Sequence, residues 1–265
     1  MTTTNTYYTD HWVEIEDERI ARYNLMFAWH PGQAPLLEPA GIAEGQTVLD
    51  FGSGPGHLTR ELARRTGPSG HVHGVDVNAA FVEKSQQSAA EEEISEHLTF
   101  HHVESGADIP LADASIDRVI CKNVLEYVPD LASTLAEFHR VLRVGGRVHI
   151  IDSDWGFVVV DPWSPAKVTE FFDAAAPAFK EPNIGRKLPG ALRETGFTDL
   201  SLQLQPVADM SGASMILLQN MVSYVRACGL MEEERLTALL AELQTGIEKE
   251  KYLFILPQFL VTAKK

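Results

Sequence analysis

Cysteine is almost missing from this chain. Cys121 and Cys228 are the only two in 265 residues, and they lie far apart. Two cysteines make no disulfide framework, which points to a reduced, cytoplasmic setting, and neither stands in a motif that marks a nucleophile. Core thiols are the simpler expectation. Basic residues are scarce as well: 22 Lys+Arg stand against 37 Asp+Glu, a formal charge of -15. Nucleic-acid binders need cations to neutralise phosphates, so no nucleic-acid partner is expected, and a small or cationic molecule suits the balance better. Long apolar runs are also lacking. Stretches such as residues 157–160 and 215–218 are too short to cross a bilayer. The N-terminal MTTTNTYYTDHWVEIEDE has neither the basic nor the apolar region of a signal peptide. A soluble protein without membrane insertion is expected, built as one elaborated domain. A homo-oligomer is compatible with this composition.

Ten histidines are present, and they raise the question of a metal. His71 and His73 share a strand face at the start of that strand, whereas His101 and His102 are adjacent and point to opposite faces. No matching ligand cluster accompanies them, so no metal site is expected.

From Gln46 to Asp154 strands and helices alternate. TVLDF, HVHGVDV, LTFHHVE, SIDRVICKN and RVHIIDSD read as strands, and residues 58–65, 79–92 and 131–142 read as helices. Several strands are nearly continuous apolar runs, as expected where helices cover both faces of a parallel sheet. The expected fold is α/β, doubly wound. Pro129-Asp130 starts the third helix, and Gly145-Gly146 is expected to end it. Later, Ser164-Pro165 opens a helix, another lies around residues 188–195, and FTDLSLQLQPV reads as a strand. Residues 212–249 read as two amphipathic helices. KYLFILPQFLVTA reads as one strand, with Pro257 at a bulge or edge. Residues 12–27 look mainly helical.

The stretch VLDFGSGPG, residues 48–56, ends an apolar run at Asp50 and then sets Gly52, Gly54 and Gly56 at alternate positions. In open parallel sheets ligands bind beyond the carboxyl ends of the strands, and glycine lets a ligand approach the backbone. The spacing is G-x-G-x-G. His57 occupies the third-glycine position of a dinucleotide turn, and no Lys-Ser/Thr follows as in a phosphate-gripping loop. Asp76, ending the second strand in GVDVN, can accept both hydroxyls of a ribose; capping the helix at Ala79 is its competing role.

VLDFGSGPG, GVDVN, IPLADASIDRVICKNVLEYVPD and LRVGGRVHIID, in that order, resemble the class I S-adenosylmethionine-dependent methyltransferases. The nearest branch contains the ubiquinone/menaquinone C-methyltransferases and many small-molecule O-, N- and C-methyltransferases. The resemblance covers about residues 40 to 155. It implies a Rossmann-like seven-stranded sheet whose last strand is antiparallel, that strand coming from KYLFILPQFLV. It also implies S-adenosyl-L-methionine as cofactor, with its methionine portion over Gly52, Ser53, Gly54 and Gly56. Asp50 would hold the loop and the cofactor's amino group, Asp76 the ribose, and Val77 the adenine. Asn123 would face the sulfonium. The aspartate that usually contacts the adenine amino group falls here on Ser105 or Gly106, with Glu104 and Asp108 out of register.

The acceptor is expected to be a small, largely apolar molecule, as in secondary metabolism. Its walls are expected from an N-terminal helical lid (residues 1–40), the segment after the fifth strand, and the helical insertion at about residues 212–249, the rest of the chain, 41–265, forming the methyltransferase domain. Tyr8, Trp12, Trp155 and Met215 are candidates for that wall, and Asp154 and His11 are candidates to take an acceptor proton. Plain packing competes with each of these roles. Two other readings stand beside transfer: an NAD-dependent oxidoreductase, against which the glycine spacing speaks, and a non-catalytic cofactor-binding protein.

Overall fold

The computed structural model describes residues 6–92, 94–105 and 108–265. Its strands, in chain order, are β1 (Thr47–Phe51), β2 (His71–Asp76), β3 (Leu98–His102), β4 (Ile116–Lys122), β5 (Leu142–Ser153), β6 (Val159–Asp161), β7 (Thr198–Gln205), β8 (Ala208–Asp209), β9 (Leu253–Ile255) and β10 (Gln258–Lys264). Seven of them form one sheet in the order β3-β2-β1-β4-β5-β10-β7. β1 to β5 run parallel, and β10 is antiparallel to both of its neighbours. This is the doubly wound, seven-stranded fold expected from the sequence, last strand included.

The helices are α1 (Tyr7–Val13), α2 (Asp17–Met26), α3 (Ala34–Leu37), α4 (His57–Thr66), α5 (Ala79–Glu91), α6 (Leu131–Val141), α7 (Pro165–Ala175), α8 (Ile184–Glu194), α9 (Met215–Cys228) and α10 (Glu233–Glu248). Their starts follow from side-chain chemistry. Asn78 accepts from the Phe81 N–H to cap α5, and Asp130 accepts from the Ser133 N–H to cap α6. Ser164 caps α7, with Pro165 in its first turn. One face of the sheet buries Leu49, Phe51, Val119 and Cys121 against α6 and α8. The other buries Val48, Val72 and Ile120 with Leu62 of α4 and Val82 of α5. A separate core joins α7, α9 and α10, with Trp155, Trp163, Phe171 and Tyr224 at its centre.

Three local readings are corrected. Gly145-Gly146 do not end α6, which stops at Val141 because Leu142 is already extended. The glycines fall where the β4–β5 register jumps from Ile116↔Leu142 to Arg118↔Arg147, and Gly145 has a φ of +79°. The closing stretch is two strands, not one: Pro257 separates β9 from β10. β9 leaves the main sheet to join β6 and β8 in a small sheet that the sequence had not suggested. The N-terminal helical stretch is likewise interrupted, between α1 and α2.

Candidate active site

A cleft with about 1220 Å³ of non-protein space, part of it open to solvent, lies beyond the carboxyl ends of β1, β2 and β4. Its floor is the glycine turn. The Gly52 and Ser53 N–H groups donate to the Val75 carbonyl at 2.8 and 3.0 Å, so the turn is tied to β2. The three glycines share a positive φ but do different things. A Cβ on Gly52 would lie 2.2 Å from a Val124 methyl, and one on Gly56 would lie 2.7 Å from the Ser85 hydroxyl. A Cβ on Gly54 would meet nothing within 4 Å. Gly52 and Gly56 allow the protein to pack; Gly54 leaves the backbone bare toward the cleft.

Asp50, Gly52, Ser53, Gly54, Asp76, Val77, Ser105 and Asn123 all line this cleft, as the sequence reading placed them together. Gly56 stands behind it as the residue before α4, and Gly106 lies outside the described residues. Asp76 does not cap α5, since Asn78 does. Its two oxygens accept from the Gly54 N–H at 2.7 Å and the Asn78 N–H at 2.8 Å. Burial raises its pKa, and these N–H donors pull it back down. Asp50 is buried and accepts from the Thr59 hydroxyl at 2.6 Å. Burial lifts its pKa to about 7, against that hydrogen bond, and the Asp76 charge adds to the rise. Asn123 sits at φ +56°, an unusual backbone for a residue with a side chain.

The sequence reading missed Lys122, which ends β4 inside the cleft. Burial lowers the pKa of its ammonium, while the charges of Asp152 and Asp50 push it up. Phe27, Trp29, Phe81 and Tyr127 were also missed, and Glu104 lines the cleft next to Ser105. Alternation could have separated Lys122 from its neighbour Cys121, which points into the core.

The cofactor named by the resemblance can be tested on these atoms. Ser53 Oγ, His57 Nε2 and Asn123 Oδ1 are buried without a hydrogen-bond partner among the described residues. All three residues line the cleft, and the bare face of Gly54 lies among them. Buried polar atoms want partners, so a polar ligand over the glycine turn fits. An acid (Asp50) and a base (Lys122) at one end match the zwitterion of an amino acid, and Asp76 matches a ribose.

The acceptor-side candidates are dispersed. Trp12 lines the cleft, with Thr9 beside it, and packs edge-on to Tyr127. His11 is 4% exposed; its Nδ1 donates to the Tyr7 carbonyl, and its Nε2 is buried without a partner among the described residues. Rings of Tyr7, Trp12, Tyr127 and Tyr224 surround it, and burial lowers its pKa to about 4. Tyr8 lies under the Lys180 ammonium, away from the cleft lining. Asp154 is 0% exposed and bound by Arg186 Nε and a second guanidinium nitrogen, both at 2.6 Å. Trp155 donates to Glu126 at 2.8 Å and lines a second hollow beside α7. Met215 packs on the core of α7, α9 and α10. Asp154, Trp155 and Met215 are therefore not brought to the cleft. The chain turns at Asp154 to meet Arg186 and carries Trp155 to the other side. Among the described residues, no group of three or more His, Cys, Asp or Glu side chains is placed to hold a metal ion, and no helix is long and apolar enough to cross a membrane. His73 and His101 do meet, across β2 and β3, at 3.2 Å.

With this geometry in view, the family model described as a methyltransferase domain matches residues 42–210, more than half of the chain. The chain belongs to this methyltransferase-domain family. It is 32% identical over 151 residues to the ubiquinone/menaquinone biosynthesis C-methyltransferase of Hahella chejuensis, covering 54% of this chain and 59% of that one. It is 39% identical over 113 residues to the arsenite methyltransferase of Halobacterium salinarum, covering 43% and 28%. The chain thus spans less than two thirds of the length of these relatives. Among solved structures, phosphoethanolamine N-methyltransferase 2 of Haemonchus contortus superposes with a TM-score of 0.65 at 18% identity, over 99% of this chain and 61% of that one. A SAM-dependent methyltransferase from Aquifex aeolicus gives 0.55 at 17%, over 93% and 99%. At such identities the structures establish the fold. The family agrees with a methyltransferase that takes S-adenosyl-L-methionine, and neither the oxidoreductase nor the non-catalytic reading is favoured.

Proposed function

We propose that this protein transfers the methyl group of S-adenosyl-L-methionine to a small, largely apolar acceptor, at oxygen, nitrogen or carbon. One observation carries the reading. The bare face of Gly54 and three polar atoms buried without a partner among the described residues converge on a single cleft that sets the charged groups of Asp50, Asp76 and Lys122 against an aromatic wall of Trp12, Phe27, Trp29 and Tyr127. The bound cofactor supplies an activated methyl group on a sulfonium. The chain's own residues do the holding. Asp50 accepts from the amino group and Lys122 donates to the carboxylate of the methionine portion. Asp76 keeps its bond to Gly54 and takes the ribose hydroxyls on its remaining lone pairs. Val77 and Phe81 pack on the adenine, with Ser105 and Glu104 near its amino group. Thr9, Trp12, Phe27 and Trp29, from the first forty residues, close over the site as a lid, and Trp12 and Tyr127 wall the acceptor.

Alignment of two reactants supplies on the order of 7–11 kcal/mol, so positioning and water exclusion are the main work of these residues. The setting proposed is the cytoplasm, and the partner a small molecule rather than nucleic acid. The test is incubation with isotope-labelled S-adenosylmethionine and cell extract, with mass spectrometry of the products, beside calorimetry of S-adenosylhomocysteine and NAD. A labelled small molecule and tight binding of S-adenosylhomocysteine alone are expected. Binding of NAD instead, or label found only in nucleic acid, overturns the proposal.

A further inference from the structure

The first forty residues reach the cleft through a short helix. α1 has seven residues, and isolated helices that short are marginal in water, so its place over the cleft depends on what it docks against. It gives Thr9 and Trp12 to the cleft lining. The last carbonyls of a helix find no partner within it. In α1, those of Trp12 and Val13 are both met by the side chain of Asn78, whose Nδ2 donates to them at 3.0 and 3.2 Å.

Asn78 belongs to the cofactor side. It is buried in the turn between β2 and α5, and Asp76, Val77 and Phe81 on either side of it line the cleft. Its backbone N–H donates to Asp76 Oδ1 at 2.8 Å, and its side-chain Oδ1 accepts from the Phe81 N–H at 2.9 Å. The carboxamide therefore works at both ends: Oδ1 caps α5, and Nδ2 holds α1. Capping alone would be served as well by aspartate or serine. Aspartate has no donor to offer α1, and serine has a single oxygen where asparagine has a fork.

We infer that Asn78 is a positioning residue that ties the acceptor wall to the cofactor floor, so that a ribose held by Asp76, as proposed above, fastens α1 over the cleft. The contacts form a chain of three links. The ribose meets the Asp76 carboxylate, that carboxylate holds the Asn78 N–H, and Asn78 Nδ2 holds the end of α1. A ligand that fixes Asp76, and packs on Val77 and Phe81, restrains Asn78 from both sides. The restrained amide then has less conformational freedom to lose in holding the Trp12 and Val13 carbonyls. Such coupling is reciprocal. Whatever factor the ligand adds to the docking of α1, docked α1 adds to the affinity for the ligand. The consequence is an order of binding, cofactor before acceptor, with Trp12 firmly placed on a filled ribose site.

Backbone hydrogen exchange of the full chain, with and without saturating S-adenosylhomocysteine, tests this. In the wild type the ligand should slow exchange in α1 on the order of tenfold more than in α10, which reports the stability of the whole molecule. Asn78→Asp keeps the cap on α5 and turns a carboxylate toward the two carbonyls of α1. Asn78→Ser also keeps the cap, and removes the fork without adding charge beside Asp76. In both variants α1 should exchange fast with or without ligand, while affinity for S-adenosylhomocysteine weakens by no more than about the same tenfold. Ligand bound to the wild type without extra slowing in α1 overturns the inference. So does full slowing in both variants, or slowing lost in Asn78→Asp alone, which would trace the effect to the added charge. A wild type that binds no S-adenosylhomocysteine overturns the proposed function, and the coupling with it.

Discussion

The carboxylate of Asp76 accepts the backbone N–H of Gly54 at 2.7 Å, so the end of β2 holds the one glycine of the turn at which a Cβ would meet nothing within 4 Å. A ligand bound over Gly54 and to Asp76 would touch two parts of one hydrogen-bonded unit. Asp76→Ala should then cost twice, by loss of ribose contacts and by loosening of the turn. Hydrogen bonds to charged groups are worth roughly 1.5–3 kcal/mol each, so affinity for S-adenosylhomocysteine should fall on the order of a hundredfold or more. Calorimetry on a folded variant with an unchanged dissociation constant would remove Asp76 from the site.

Two of the turn's three glycines should separate folding from binding. Gly52→Ala drives a Cβ to 2.2 Å from Val124 and should destabilise the fold by about 1–3 kcal/mol, with partial recovery in Gly52→Ala/Val124→Ala. Gly54→Val meets no protein atom at its Cβ and should remain folded, with only the strain of a positive φ, yet lose cofactor binding. Thermal melts and calorimetry on the same samples decide the matter. Normal binding by Gly54→Val would make the turn purely structural.

The pH dependence of binding should centre on Asp50. Burial raises its folded-state pKa from 3.8 to about 7. In the free protein its contribution to stability is fully present below about 3.8 and is lost as pH rises through about 7. Ligand affinity has the opposite sign, because the cofactor's ammonium needs the ionised carboxylate. Affinity for S-adenosylhomocysteine should fall below about pH 7, by at most roughly tenfold per pH unit, with release of a proton on binding. In Asp50→Asn, which keeps an acceptor for Thr59, both trends should flatten. Identical pH profiles in the two proteins would rule out titration of Asp50 as their source.

Most of the cofactor floor could be read from the sequence because it is local. One strand, its glycine turn and the next helix are contiguous, and Asp76 ends the following strand. Lys122 could not be read this way. Within SIDRVICKN it looks like any lysine at a strand end, and only the parallel pairing of β4 with β1 brings it near Asp50. The small sheet escaped for a different reason. β6, β8 and β9 have three, two and three residues, too few to show a period. Asp154 and Trp155 were placed at a pocket by their position after β5, whereas the ion pair to Arg186, from α8, turns the chain away. That partner lies more than thirty residues downstream, at a distance no local pattern encodes.

Lys122→Met keeps much of the side-chain volume and removes the charge. If Lys122 holds the carboxylate of the methionine portion, affinity for S-adenosylhomocysteine should drop on the order of tenfold to a hundredfold. Methylthioadenosine has no carboxylate, and its affinity should stay within a few-fold. Equal losses for the two ligands would mean that Lys122 acts on the shape of the cleft and not on the carboxylate.

The acceptor wall can be told from the packing around it. Tyr127 and Trp12 meet at a 4.9 Å centroid distance inside the cleft, and Tyr127 stacks on Phe179 behind it. Trp12→Ala opens the cleft without removing a bond to the cofactor floor. It should lower kcat/KM for the acceptor at least about tenfold while S-adenosylhomocysteine binds within a few-fold of wild type. Asp154→Ala should behave in the reverse way. It releases Arg186 and leaves the Gly156 N–H without its acceptor, so the melting temperature should drop, while kcat at a permissive temperature stays near wild type. A catalytic Asp154 predicts a collapse of kcat with an ordinary melt. Measuring both quantities on both variants assigns the proton chemistry either to Asp154 or to groups that face the cleft.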